Sequence, residues 1–116
     1  MTFNAQQNSI NNASDWSGKF PAPGTPQNPT VVRVTNSGLN IPANVNLSNT
    51  IIIVKQGDIN FNGNGHSLNN VMLIANNGSI NLSQVEARDT SVFASNSIHM
   101  NGGARFAGSS LLVLQL

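Results

Sequence analysis

The chain has 116 residues, enough for one domain with a sizeable core. Only 8% of residues are charged and the formal net charge is +1, so there is no basic footprint for nucleic acid or an anionic membrane surface. A hydrophobic content of 39% excludes a disordered tail, and the absence of cysteine excludes a disulfide scaffold and a thiolate metal site.

The N-terminal stretch "MTFNAQQNSINNASDW" shows no basic region followed by an apolar run, so no secretory signal is visible. Residues 1–30 carry Phe3, Ile10, Trp16 and Phe20 ahead of the proline-rich connector "FPAPGTPQNP". They are read as a capping or covering segment and connector, with residues 31–116 as a separate repeating unit. The longest apolar runs, "IIIV" and "LLVL", are too short to span a bilayer.

From residue 31 onward the chain repeats. "VVRV", "IIIV", "VMLI", "SVFA" and "LLVL" begin at 31, 51, 71, 91 and 111. A second series follows at 39, 59, 80 and 98, as "LNI", "INF", "INL" and "IHM". A weaker third series is "VNL" at 45, "HSL" at 66, "VEA" at 85 and "ARF" at 104. Each run is short and alternating or wholly apolar, as strands are, and Gly, Asn and Ser fill the gaps. No segment carries a helical apolar stripe of useful length. Three strands per repeat describe one coil of a parallel β-helix, whose coils bury a continuous core only by stacking.

The period predicts the columns. Val32, Ile52, Met72, Val92 and Leu112 form one inward stack on the first sheet, and Val34, Val54, Ile74, Ala94 and Leu114 a second. On the next sheet Leu39, Ile59, Ile80 and Ile98 stack beside Ile41, Phe61, Leu82 and Met100. Asn40, Asn60, Asn81 and His99 fall between them, facing out, where amides stacked about 4.8 Å apart can form a ladder. Gly63 and Gly65 suit a corner that needs positive φ. His66 shares an inward column with Val45, Val85 and Ala104, which predicts a satisfied, partly buried histidine.

Candidate chemistry is sparse. The four carboxylates are Asp15, Asp58, Glu86 and Asp89, and only the last two are neighbours, in "VEARDT". Glycoside hydrolysis ordinarily needs two that flank one bond. Glu86 and Arg105 face out one coil apart, which predicts a surface ion pair. No calcium-binding nonapeptide repeat, nucleophile triad or phosphate loop is present. Threonines at 2, 25, 30, 35, 50 and 90 do not make the regular column an ice-binding face would use.

The more informative feature is apolar residues facing outward. On the assumed register, Ile51, Ile53, Val71, Leu73, Phe93, Leu111 and Val113 form an apolar outer face on the first sheet. Such a face calls for a cover. Two are available: the N-terminal 30 residues, or a second protein surface.

"FNGNGHSL", matching from Asn62 to Leu68, resembles the "DGNGH[ST][IL]" signature of right-handed parallel β-helix proteins of the pectin-lyase-like superfamily, with Asn62 in place of the usual aspartate. "GSINLSQVEARDTSVFASNSIHMNGGARF" is similar to coils of haemagglutinin-type bacterial surface adhesins. The resemblance covers roughly residues 31–116 and implies a fold more than an activity, since the superfamily includes lyases, hydrolases, epimerases, adhesins and phage tailspikes.

The expected fold is therefore all-β: a short, right-handed, single-stranded parallel β-helix of about four to five coils of roughly 20 residues, with the N-terminal cap or cover. The expected function is that of a non-catalytic structural or adhesive module of a bacterial surface or secreted protein, located outside the cell. No catalytic, cofactor or metal residue is expected, and neither nucleic acid nor a membrane span. Its partners would be further copies, or the rest of a larger β-helix, met through the apolar face or the coil ends. The alternative is a carbohydrate-binding or polysaccharide-processing β-helix, or a fragment of a larger one.

Overall fold

Three faces and three corners make up each turn of the chain. The computed structural model, which describes residues 1–8 and 10–113, is all-β, a parallel β-solenoid of about four turns. A short strand β1 (Thr2–Asn4) and a helix α1 (Ala13–Lys19) precede the coils. The first face stacks β2 (Thr30–Thr35), the second half of β4 (Asn46–Val54), the second half of β6 (His66–Ala75), β9 (Ser91–Ala94) and β12 (Ser110–Val113). The second stacks β3 (Leu39–Ile41), β5 (Ile59–Phe61), β7 (Ile80–Ser83) and β10 (Ile98–Asn101). The third contains the first halves of β4 and β6, then β8 (Val85–Arg88) and β11 (Arg105–Ala107). Because β4 and β6 run round a corner unbroken, the first and third faces belong to one sheet.

The second and third faces follow the expected columns. Leu39, Ile59, Ile80 and Ile98 are in register, and Asn60 pairs Asn40 and Asn81 on either side. Asn60 Nδ2 donates to Asn40 Oδ1 at 3.1 Å, and Asn81 Nδ2 donates to Asn60 Oδ1, so the amide ladder is real. His99 lies in register with Asn81 but turns its ring to the Ser97 hydroxyl, 2.8 Å from Nε2.

The first face departs from the strict 20-residue spacing. Ile52 pairs with Leu73, and Leu73 with Val92, which pairs with Leu111. The inward stacks are therefore Val32, Ile52, Leu73, Val92, Leu111 and Val34, Val54, Ala75, Ala94, Val113. Met72 and Ile74 belong to the outer side, whereas Val71 and Leu73 are in the core, 3% and 0% exposed. Leu112 pairs with Phe93, on the outer column, and Leu114 lies outside the described residues. The cause is corner length. Between the second and third faces, three residues separate Ile41 from Val45, four Phe61 from His66, two Leu82 from Val85 and three Met100 from Ala104. Between the first and second faces, three separate Ala94 from Ile98 where four separate Ala75 from Ile80, and this shorter corner shifts β12. A one-residue change in strand register exchanges inside for outside.

Two columns of left-handed backbone explain a further set of amides and glycines. Asn44, Gly65, Gln84 and Gly103 have φ of 63°, 79°, 51° and 82°, and each directly precedes the third face. Asn49, Asn70, Asp89 and Gly108, at 48°, 57°, 50° and 58°, each turn the chain from the third face into the first. Glycine and short polar side chains tolerate this region best. Asn70 Nδ2 donates to Asn49 Oδ1 at 2.9 Å, and Asn49 Nδ2 to the Gly24 carbonyl at 3.2 Å, giving a second ladder along the bend. After that bend, Thr50 and Thr90 are buried and donate to the carbonyls of Ser48 and Arg88. Thr30, Thr50 and Thr90 do share a column, interrupted by Val71, but two of them face the interior. An ice-binding face is thus not built from them.

The N-terminal segment closes one end of the stack. β1 pairs in parallel with β2 on the side away from β4, which places Phe3 over Val34. α1 starts at Asn12, whose Oδ1 accepts from the Asp15 N–H, while Asp15 Oδ2 accepts from the Asn11 N–H. Seven residues form a helix without an apolar stripe because one large side chain, Trp16, is enough to anchor it. Trp16 stacks on Phe20 with ring centroids 4.0 Å apart, and Phe20 meets Phe3 at 5.2 Å. All three are buried in the same core as Leu39, Ile41, Val45 and Leu47. The connector then runs past the Asn49 bend, where the Gly24 N–H donates to the Asn49 carbonyl.

The register leads to an unequal pair of substitutions. Leu73→Ala should cost about 2–5 kcal/mol in denaturant unfolding, because it empties a filled column. Met72→Ala, one residue away and partly exposed, should cost less than about 1 kcal/mol. The reverse order would restore Met72 to the core.

Candidate association surfaces

The outer side of the first face is apolar along its length. Its columns read Val31, Ile51, Met72, Ser91 and Arg33, Ile53, Ile74, Phe93, Leu112. Ile51, Ile53, Met72, Ile74 and Phe93 are each partly exposed. Of the seven residues expected on this face, Ile51, Ile53 and Phe93 are on it, whereas Val71, Leu73, Leu111 and Val113 lie in inward columns and Met72, Ile74 and Leu112 take the outer positions. Only Arg33 interrupts it with charge.

The N-terminal segment is seated on the coil end and at the Asn49 bend, as its strand pairing and aromatic contacts require. It plugs the end of the core rather than spreading across the outer columns. A plug satisfies the chain better there, since the first coil's inward residues would otherwise meet water directly.

At the opposite end the last inward positions among the described residues are more exposed. Leu111 and Val113 occupy inward columns of the first face, yet they are 42% and 40% exposed. Met100, stacked on Leu82, is 44% exposed, as is Leu112 on the outer column. Leu111 and Val113 were expected on the outer face; they belong to this end face instead. Among the described residues β10, β11 and β12 each pair with a strand on one side only.

The carboxylates do not converge. Asp15 lies in the first turn of α1 and accepts from the Asn11 N–H, and Asp58 Oδ1 accepts from the Ser79 N–H at the corner between the first and second faces. Glu86 faces out on the third face, and Asp89 sits in the left-handed bend under Gly108. Glu86 and Arg105 are strand partners as expected, but among the described residues they form no ion pair. With Ser67, Asn69, Arg88 and Phe106 they line a shallow depression. One carboxylate and two guanidinium groups can bind a polar ligand there, but they cannot supply the acid and base of ordinary glycoside hydrolysis.

His66 is 2% exposed and packs edge-on against Phe61, with ring centroids 5.2 Å apart. Its Nε2 lies 2.8 Å from the Asn62 carbonyl, so that nitrogen carries the donor proton, and Nδ1 has no partner. The histidine thus ties the long glycine corner to the core. Gly65 beside it suits its left-handed backbone, φ 79°, and lies close under the Asn44 side chain. Among the described residues no three of His, Asp and Glu gather into a metal site, and no helix is long and apolar enough to cross a membrane. Compared with protein-family models, curated proteins and solved structures, the chain matches none.

The plug at the N-terminal end can be tested directly. Trp16→Ala should cost about 3–5 kcal/mol and raise binding of a hydrophobic dye, as the first coil's interior opens. A variant with wild-type stability would mean that Phe3 and Phe20 suffice.

Proposed function

We propose that this protein is a non-catalytic structural or adhesive β-solenoid module of a bacterial surface or secreted protein, which associates through exposed apolar surface. The observation that carries this reading is the outer strip of Ile51, Ile53, Met72, Ile74 and Phe93, in a chain whose carboxylates lie apart. Burying apolar area stabilises by about 25 cal/mol per Å². A strip of five large side chains is therefore a strong association surface once it meets a partner. The low charge of the chain removes the repulsion that would oppose such contact. The likeness of "FNGNGHSL" and the later coils to pectin-lyase-like and haemagglutinin-type β-helices supports a place outside the cell, where such solenoids act as adhesins.

A second reading follows from the depression on the third face. Glu86, Arg88, Arg105, Ser67 and Asn69 offer both donors and acceptors to a saccharide, which would make the module a carbohydrate binder.

Retention of the purified chain on a phenyl-bearing matrix separates the two. With Ile53→Lys and Phe93→Lys combined, retention should fall several-fold while the fold persists, whereas Glu86→Gln with Asp89→Asn should leave it unchanged. Binding or turnover of a polysaccharide that disappears in the Glu86→Gln, Asp89→Asn variant would instead favour the saccharide reading.

A further inference from the structure

Asparagine is followed by glycine four times in the chain, at 62–63, 64–65, 77–78 and 101–102. In such a pair the glycine nitrogen can attack the preceding side-chain amide, because no Cβ crowds the approach. The first two pairs lie together on the four-residue corner between the second and third faces, in a coil paired with neighbours on both sides. The third pair is on the next corner along the chain, between the first and second faces.

These two corners hold their amides differently. Asn77 Nδ2 donates to the Lys55 carbonyl at 3.0 Å, and the Gly78 N–H donates to Ser95 Oγ at 3.0 Å. Gly78 is itself buried against the Gly57 backbone. At the long corner, residues 62–65 are all exposed. The peptide links that follow the two asparagines are anchored there by their carbonyls alone. The Asn62 carbonyl lies 2.8 Å from His66 Nε2, and the Asn64 carbonyl accepts from the Asn44 N–H at 2.8 Å. A trans peptide link directs its N–H opposite to its C=O, so the Gly63 and Gly65 N–H groups point away from these anchors. The next coil crosses the same gap in two residues and does not continue the backbone ladder over this corner. Among the described residues neither N–H has an acceptor, and neither asparagine side chain has a partner.

We propose that the corner at 62–65 is a site of spontaneous modification, where Asn62 and Asn64 convert to aspartyl and isoaspartyl residues while the solenoid stays folded. The glycine nitrogen gives up its proton to solvent base and bonds to the asparagine Cγ. The Cγ–Nδ2 bond breaks and ammonia leaves, closing a five-membered imide. Water then opens the imide at one of its two carbonyls, so each site consumes one water and releases one ammonia. The formal net charge of +1 falls by one at each conversion. An isoaspartyl link adds one carbon to the main chain. Other coils cross this gap in two or three residues instead of four, so the columns do not depend on its length. The conversion is independent of what the module binds.

The test is to age the full chain in mildly alkaline buffer and map each site by mass spectrometry with peptide fragmentation. Conversion at Asn62 or Asn64 should outpace Asn77 by about tenfold or more, as expected when two hydrogen bonds must first break at Asn77. In denaturant the three sites should agree within about threefold, because only local sequence then sets the rate. Ion exchange should resolve acidic forms that are absent when Asn62→Gln and Asn64→Gln are combined, since glutamine would have to close a larger ring. Thermal melting of the isolated acidic forms should remain cooperative and close to that of the fresh chain. Native conversion at Asn77 as fast as at the corner overturns the assignment. So does a corner that stays intact over the time in which the denatured chain converts. Acidic forms that have lost the cooperative transition overturn the tolerance of the corner.

Discussion

Vertical alignment governs this structure. Neighbouring coils lie about 4.8 Å apart and hydrogen-bond strand to strand, so a residue can be apolar, amide or glycine only if its column allows it. The core is a stack of thin layers, each filled by a few side chains from one coil. Ile41, Ile52, Ile59, Leu73, Leu82 and Val92 are all fully buried because each sits on a neighbour of the same kind. The polar columns obey the same rule. Asn40, Asn60 and Asn81 satisfy one another through their side chains, and the left-handed bends repeat at every coil from Asn49 to Gly108. The scarcity of charge follows as well, since like charges at ladder spacing would repel along the whole column.

Much of this could be read from the sequence because the second and third faces keep their phase relative to their own neighbours. "LNI", "INF", "INL" and "IHM" announce their alternation directly, and His66 fell in the column assigned to it. The first face was harder. "VMLI" is apolar at every position, so no alternation marks which residues face inward, and only the length of the preceding corner decides. That corner gains a residue at 62–65 and loses two at 83–84. A fixed period of 20 therefore placed Met72 inside and Leu73 outside, and the outer strip inherited the same exchange. Its apolar character was legible; its membership was not.

The N-terminal segment was legible in composition but not in position. Phe3, Trp16 and Phe20 signal burial, and nothing in their spacing says whether they cover a face or plug an end. Strand pairing settles it, since β1 extends the sheet beyond β2 and brings the aromatic residues over the first coil. The helix escaped notice because its stability comes from a side-chain cap and one tryptophan, not from periodicity.

The corner between the second and third faces also bears on how such a chain can change. Two, three or four residues bridge the same gap there, and each version ends in one left-handed residue that delivers the chain to the third face in the same orientation. Length is thereby uncoupled from register: the columns above and below do not sense how the gap was crossed. A segment inserted at this corner would be displayed at the solenoid's edge, held at its base by the flanking ladders, and free to vary in sequence. Repeated from coil to coil, the corner forms a line of variable positions on an otherwise invariant frame. New binding properties could be added along it one coil at a time without reopening the question of how the chain folds.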